Sequence, residues 1–209
     1  MTRLAQRIIP QFYSRLAWAY DPAVRLLSCG QWYRWAFAAE HFIRDQPVLD
    51  VGCGRGHLLT HLAKQGFEVL GVDKSPQMVR AARRRLDEAG FPAKVLCADA
   101  RALPLPDASV GTIINTFFYG DGEAAWTEYA RVLRPGGRWV IVSGPRPDRF
   151  CRELLGLYLL RLFEHGFRAL WSRRYGVTVT IPQELFPHQR TELVQVGRTP
   201  ILVVIFGKN

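Results

Sequence analysis

The chain has 209 residues, 48% hydrophobic and 22% charged, a balance that fits one ordinary folded domain and excludes a disordered or fibrous chain. Lys and Arg number 28 against 18 Asp and Glu, and the formal net charge of +10 draws the protein toward anionic surfaces, nucleic acid and lipid headgroups alike. The longest apolar run, Leu154–Leu160, is far short of the roughly 20 residues that a membrane-spanning helix requires.

Residues 1–46 carry clustered aromatics (Phe12, Tyr13, Trp18, Tyr20, Trp32, Tyr33, Trp35, Phe37) on helical patterns broken by Pro10, Pro22 and Cys29-Gly30. From Pro47 a strand-then-helix rhythm sets in. PVLDVG is a short apolar strand, HLLTHLAKQG a helix closed by Gly66, and FEVLGVD a second strand ending at Asp73. SPQMVRAARRRLDEAG offers Ser75 as helix cap, Pro76 at the first helical position and Gly90 as terminator. AKVLCAD and SVGTIINTFF are the third and fourth strands. GEAAWTEYARVLRPGG is a helix stopped by Pro135-Gly136-Gly137, and RWVIVSG is the fifth strand.

After Gly144 the rhythm stops. Residues 145–176 hold apolar helical patterns studded with Arg149, Arg152, Arg161, Arg168, Arg173 and Arg174, and VTVTI at 177–181 is β-like. TELVQVG and ILVVIFG close the chain as an antiparallel hairpin about an Arg198-Thr199-Pro200 turn.

Apolar strands alternating with helices, joined by right-handed crossovers, predict an α/β fold: a doubly wound, seven-stranded, mostly parallel sheet with a C-terminal antiparallel hairpin and N-terminal helices. One domain, 1–209, is expected, comprising an N-terminal helical lid (1–46), a binding core (47–144), a helical insertion or lid (145–189) and the hairpin (190–209).

The four cysteines, Cys29, Cys53, Cys97 and Cys151, contain no CxxC pair, so neither a zinc site nor a disulfide framework is expected and no metal is assigned. The opening MTRLAQRIIPQFY lacks the apolar core of a secretory leader. The expected location is the cytoplasm, with a peripheral place at the membrane surface left open.

The chemistry concentrates in VLDVGCGRGHLL, Val48 to Leu59. A triphosphate loop needs Gly-Lys-Ser/Thr, and Arg55-Gly56-His57 supplies none of it. A dinucleotide fingerprint needs glycine at the sixth place, which from Gly52 is His57.

The pattern is instead Asp50-x-Gly52-x-Gly54-x-Gly56. It resembles motif I of the class I S-adenosylmethionine-dependent methyltransferases, in particular their ubiquinone/menaquinone-biosynthesis-like (type 11) branch, and the resemblance runs from Val48 to Val142. It implies a Rossmann-like fold and S-adenosyl-L-methionine as cofactor.

By this resemblance Asp50, Gly52, Cys53, Gly54 and Gly56 form the loop against the cofactor's amino-acid and ribose parts, where glycines let backbone approach closely. Asp73, with Lys74 beside it, is placed to accept both ribose hydroxyls. Asp99 is placed to read the adenine amino group, the Ala100 N–H a ring nitrogen, and Met78 packs on the purine. Asn115 and Thr116, past the fourth strand, fall where the departing methyl should be. Tyr20 resembles the family's aromatic lid over the cofactor, and Tyr13 joins it at the acceptor side. Taken singly, Asp50 reads equally as a capping acid, Asp73 as a turn residue, Asp99 as a loop acid and Met78 as core. Their joint placement at successive strand ends decides for the cofactor.

Phe117, Phe118 and Tyr119 make the acceptor side aromatic, where many family members carry polar groups. His165, His188, Asp121 and Tyr119 are candidate bases, and no catalytic residue is assigned. The resemblance implies a methyltransferase acting on a small amphipathic or lipid-like acceptor by in-line methyl transfer, with contact to an anionic membrane as a possible partner interaction through the Arg-studded segment. The alternatives are an RNA or protein methyltransferase using the basic surface, or a non-catalytic S-adenosylmethionine-binding protein. Nucleic acid is the weaker partner, since the charge is spread along the chain and no base-methylating tetrapeptide of the Asn-Pro-Pro-Tyr kind follows the fourth strand.

Overall fold

The apolar runs become interior strands of one sheet. In the computed structural model the described residues are 30–116, 123–145, 183–197 and 199–208. Tyr33–Arg146 and Ile181–Asn209 form one compact unit, which holds the whole sheet. The helices expected before Gly30, the Arg-studded segment 146–176 and VTVTI lie outside the described residues.

The strands are β1 (Val48–Val51), β2 (Val69–Asp73), β3 (Val95–Cys97), β4 (Val110–Thr116), β5 (Leu133–Pro145), β6 (His188–Val196) and β7 (Thr199–Gly207). They lie in the order β3-β2-β1-β4-β5-β7-β6. The first five are parallel and β7 runs antiparallel to both its neighbours. The expected doubly wound sheet with its C-terminal hairpin is therefore present. All four residues of β1 are buried, as a central parallel strand requires.

The helices follow local signals. α1 (Trp32–Ala36) continues as a 3-10 turn (Phe37–Phe42), and α2 (His57–Lys64) follows the glycine loop. α3 (Pro76–Glu88) starts where Ser75 Oγ accepts the Met78 N–H at 3.4 Å. It ends with Gly90 N–H donating to Asp87 O and Phe91 N–H to Leu86 O, the paired bonds that a glycine terminator makes. α4 (Glu123–Val132) packs Trp126 and Tyr129 into the core.

α1 and its 3-10 turn are stapled to α2 by two rings spaced four residues apart on each side. Tyr33 stacks on His57 at 3.7 Å and Phe37 on His61 at 3.9 Å, while His61 Nε2 meets Glu40 at 2.7 Å.

Two boundaries differ from the sequence expectation. α4 ends at Val132, before Pro135. Leu133 pairs with Val110 and the ladder resumes at Arg138 opposite Thr112, so Arg134–Gly137 bulges out of β5 instead of ending a helix. The hairpin turn also sits earlier than expected. Val196 already pairs with Thr199, and Gly197 at φ +64 supplies the left-handed backbone that so tight a turn needs.

Where the chain enters β1, Asp45 crosses over β4, and Thr112 Oγ1 donates to Asp45 O at 2.8 Å. A Cβ at Gly111 would stand 2.5 Å from the Asp45 carbonyl carbon. Gly111→Ala is expected to cost roughly 1–3 kcal/mol, the scale of overpacking, read as a lower urea midpoint with an unchanged slope.

Candidate active site

The loop after β1 is built against the end of β2. The N–H groups of Gly52 and Cys53 both donate to Val72 O, at 2.8 and 3.1 Å, and Gly56 N–H donates to Cys53 O at 3.0 Å. Gly54 N–H donates to Asp73 Oδ2 at 2.9 Å. A Cβ on Gly54 would meet nothing within 4 Å, whereas one on Gly56 would press on Ala82 Cβ at 3.0 Å. Gly56 thus permits close packing on α3, and Gly54 faces open space.

Two acids lie under this loop. Asp50 is 1% exposed and its Oδ1 is buried with no hydrogen-bond partner. Burial, reinforced by the charge of Asp73, pushes its carboxyl up to about 7. Burial also raises Asp73, opposed by the N–H groups of Ser75 (2.8 Å) and Gly54 and by the Lys74 ammonium. The Cys53 thiol is pushed well above its ordinary value by burial and then by the two acids. It packs where a Cβ on Gly71 would touch its Sγ at 3.1 Å. A pocket with two crowded, half-desolvated carboxylates favours a cationic guest.

β3 brings in the third acid. Asp73 pairs with Cys97, and Ala98 N–H donates to Asp73 O at 3.2 Å, so Asp99 follows directly. Lys74 is exposed, and its charge lowers both Asp73 and Asp99. Arg101 holds Asp99 in a fork, Nε to Oδ1 at 2.9 Å and Nη2 to Oδ2 at 2.6 Å, which keeps Asp99 down at about 2. Met78 and Ala100 are buried beside these strand ends.

The loop carrying Asp99 is fixed from α4. Arg131 Nη2 donates to Leu103 O at 2.9 Å and Nη1 to Leu105 O at 2.8 Å and Asp107 Oδ1 at 2.7 Å. Glu128, itself gripped by Arg131, accepts the Leu103 N–H at 2.7 Å.

The structure therefore brings Asp50, Cys53, Gly54, Asp73, Lys74 and Asp99 together at the carboxyl ends of β1, β2 and β3. Asn115, the last but one residue of β4, lies at the same side, but its side chain turns into the sheet. Nδ2 donates to Val51 O at 2.9 Å and Trp139 Nε1 donates to Oδ1 at 2.6 Å. Sequence reasoning missed Trp139 as that partner and Arg101 as the clamp on Asp99; the Asp-x-Arg spacing at 99–101 was the available signal for the latter.

His188, a candidate base, is corrected by register. It pairs with Gly207, which pairs with Arg138, which pairs with Thr112, which pairs with Val48 at the start of β1. That row is the opposite end of the sheet from the acids. Tyr13, Tyr20, Phe117, Phe118, Tyr119, Asp121 and His165 lie outside the described residues.

The family description "Methyltransferase domain" matches residues 48–137, the span that carries all three acids. The chain is 37% identical over 186 residues to a demethylmenaquinone methyltransferase of Thermus thermophilus, covering 84% of each chain. This chain belongs to the class I S-adenosylmethionine-dependent methyltransferases, in the ubiquinone/menaquinone-biosynthesis branch. A second demethylmenaquinone methyltransferase, from Tropheryma whipplei, is 34% identical over 72% of this chain, which spans 65% of that enzyme. In fold, the methyltransferase is similar to a solved Methanococcus maripaludis structure at TM-score 0.66 and 20% identity, over 94% of this chain and 93% of the other.

The residues present in this methyltransferase fit its cofactor. S-adenosylmethionine carries an ammonium and a sulfonium, and the buried, unpartnered Asp50 Oδ1 beside Asp73 is a site short of positive charge. The open space at Gly54 is where backbone can be approached without a Cβ in the way. Asp73→Ala is expected to weaken S-adenosylmethionine binding by roughly 1.5–3 kcal/mol, the scale for bonds to a charged acceptor, and calorimetric titration reads it directly.

Proposed function

We propose that this methyltransferase alkylates a quinone-type, lipid-derived aromatic ring, with Asp50, Asp73 and Asp99 as its cofactor-holding acids. The observation that carries the acceptor is the 37% identity, over 84% of both chains, to a protein named for demethylmenaquinone methylation. Bound S-adenosylmethionine supplies a methyl on a sulfonium with a neutral thioether as leaving group.

What remains for the chain is placement and exclusion of water. Asp50 and Asp73, both raised by burial and Asp50 further by the charge of Asp73, provide fixed negative potential under the glycine loop. Asp73 has one oxygen on Gly54 N–H and the other on Ser75 N–H, which holds its carboxylate in a set orientation. Asp99 is kept ionised by Arg101 and so acts only as an acceptor toward an amino group. The Asn115–Trp139 bond fixes the end of β4 at the methyl-transfer side. Of the candidate bases only His188 is among the described residues, and it sits at the opposite end of the sheet.

No helix among the described residues is long and apolar enough to cross a membrane. We place the enzyme at the cytoplasmic membrane surface, where a lipid-tailed acceptor resides.

The test is incubation of the purified chain with methyl-labelled S-adenosylmethionine and separate quinone-lipid, RNA and protein extracts. Label is expected in the quinone-lipid fraction, and less of it with Asp73→Ala at a cofactor concentration that does not saturate the variant. Label confined to RNA or protein would overturn the acceptor class.

A further inference from the structure

The end of the sheet opposite the acids carries the reverse charge. A cavity of about 600 Å³ opens there, lined by Arg138, Pro187, His188, Arg190, Ile205 and Lys208 among others. Arg138 lies in the row that starts at Val48 of β1, between Thr112 of β4 and Gly207 of β7. Its Nε is buried and no acceptor meets it.

The surrounding charges do not help it. Arg44 and Arg190 both face Arg138 closely enough that, with burial, they lower its affinity for its own proton. The nearby carboxylates are spent elsewhere: Glu192 pairs with Arg190 at 2.6 Å and Asp45 with Arg134 at 3.6 Å. Lys208 Nζ donates to Ala130 O and Leu133 O, both at 2.6 Å, and its backbone N–H to Gly137 O. Arg138 and Arg44 are thus guanidinium groups without an ion pair among the described residues.

We infer that this cavity is a binding site for a phosphate-type oxyanion, borne by a soluble phosphorylated compound or by a lipid headgroup, with Arg138 and Arg190 in its lining and the charge of Arg44 acting on Arg138 from nearby. A guanidinium offers a planar fork of donors that matches tetrahedral oxyanions in pairs, and it keeps its charge at every physiological pH. An incoming dianion at the Arg138 guanidinium offsets the repulsion that Arg44 and Arg190 exert on it. The cavity exceeds a bare phosphate in size, so an organic portion has room along Pro187 and Ile205. The site shares no residue with the acids that hold the cofactor, and the inference is independent of the acceptor proposed above.

The test uses the full chain at low salt with two probes: inorganic pyrophosphate in a calorimeter, and sedimentation with phosphatidylcholine vesicles with and without phosphatidylglycerol. Wild type is expected to bind at least one probe, and Arg138→Gln and the exposed double variant Arg44→Gln/Arg190→Gln are each expected to lose tenfold or more in that affinity. Loss toward pyrophosphate supports a soluble phosphate compound. Loss confined to the anionic vesicles supports a headgroup. Absence of binding to both probes by wild type, or variants that match it, overturns the site. S-adenosylmethionine affinity, expected to stay unchanged, reports folding. Should Arg138→Gln fail that control, the exposed double variant decides.

Discussion

Asp50→Asn is expected to cost at least a hundredfold in S-adenosylmethionine affinity, about 3 kcal/mol, while making the cofactor-free protein more stable at neutral pH. Both effects come from one buried carboxyl held at about 7 by burial and Asp73. The folded-state value lies above the unfolded one of about 4, so the folded protein binds the extra proton and the group's contribution is fully present below that point. It is lost as pH rises toward 7, by about 4 kcal/mol in all, and chemical denaturation of wild type should show that decline where the Asn variant does not. Binding runs the other way. A cationic cofactor requires the ionised acid, so affinity should climb toward tenfold per pH unit below about 7 and level off above it. A wild-type affinity flat across that window, or an Asn variant that binds normally, removes Asp50 from the site.

Trp139→Ala carries the second large effect, a loss of about 3–5 kcal/mol of stability, the scale for deleting a buried indole. Trp139 is 2% exposed and packs edge-on to Tyr129 at 4.9 Å, with Phe206 and Phe186 at 5.0 and 5.4 Å. Its N–H is also the donor for Asn115 Oδ1, which would be left buried and unmatched. Trp139→Phe separates the two contributions: most packing stays and roughly 1–3 kcal/mol is lost for the orphaned acceptor. Because Asn115 ties β4 to Val51 O at the end of β1, the Phe variant should lower turnover more than cofactor affinity. Equal urea midpoints for wild type and Trp139→Phe would show the bond contributes nothing.

The strands and helices of the core were legible because single residues punctuate them. Ser75-Pro76, Gly66 and Gly90 mark ends whose bonds are local, and the apolar runs between them fit no other use than buried strands. The β5 bulge was not legible, since Pro135-Gly136-Gly137 ends a helix by local rules and only the pairing of Leu133 with Val110 shows that the sheet had already begun. The same limit hid the site's supports. Asp50, Asp73 and Asp99 announce themselves by position after strands, but Trp139 reaches Asn115 across 24 residues and Arg131 reaches Leu105 across 26. His188 misled for the complementary reason: residue type carries no information about which end of a sheet it occupies.

Arg131 bears on how the proposed site receives the adenosine part of the cofactor. One guanidinium on α4 grips the carbonyls of Leu103 and Leu105 and the carboxylate of Asp107, so the segment beyond β3 takes its final shape when the protein folds rather than when a ligand arrives. In the proposed cofactor placement the purine half meets a preorganised edge, and little chain entropy is lost on docking there. Recognition can begin on the adenine side, leaving adjustment to the methionyl half.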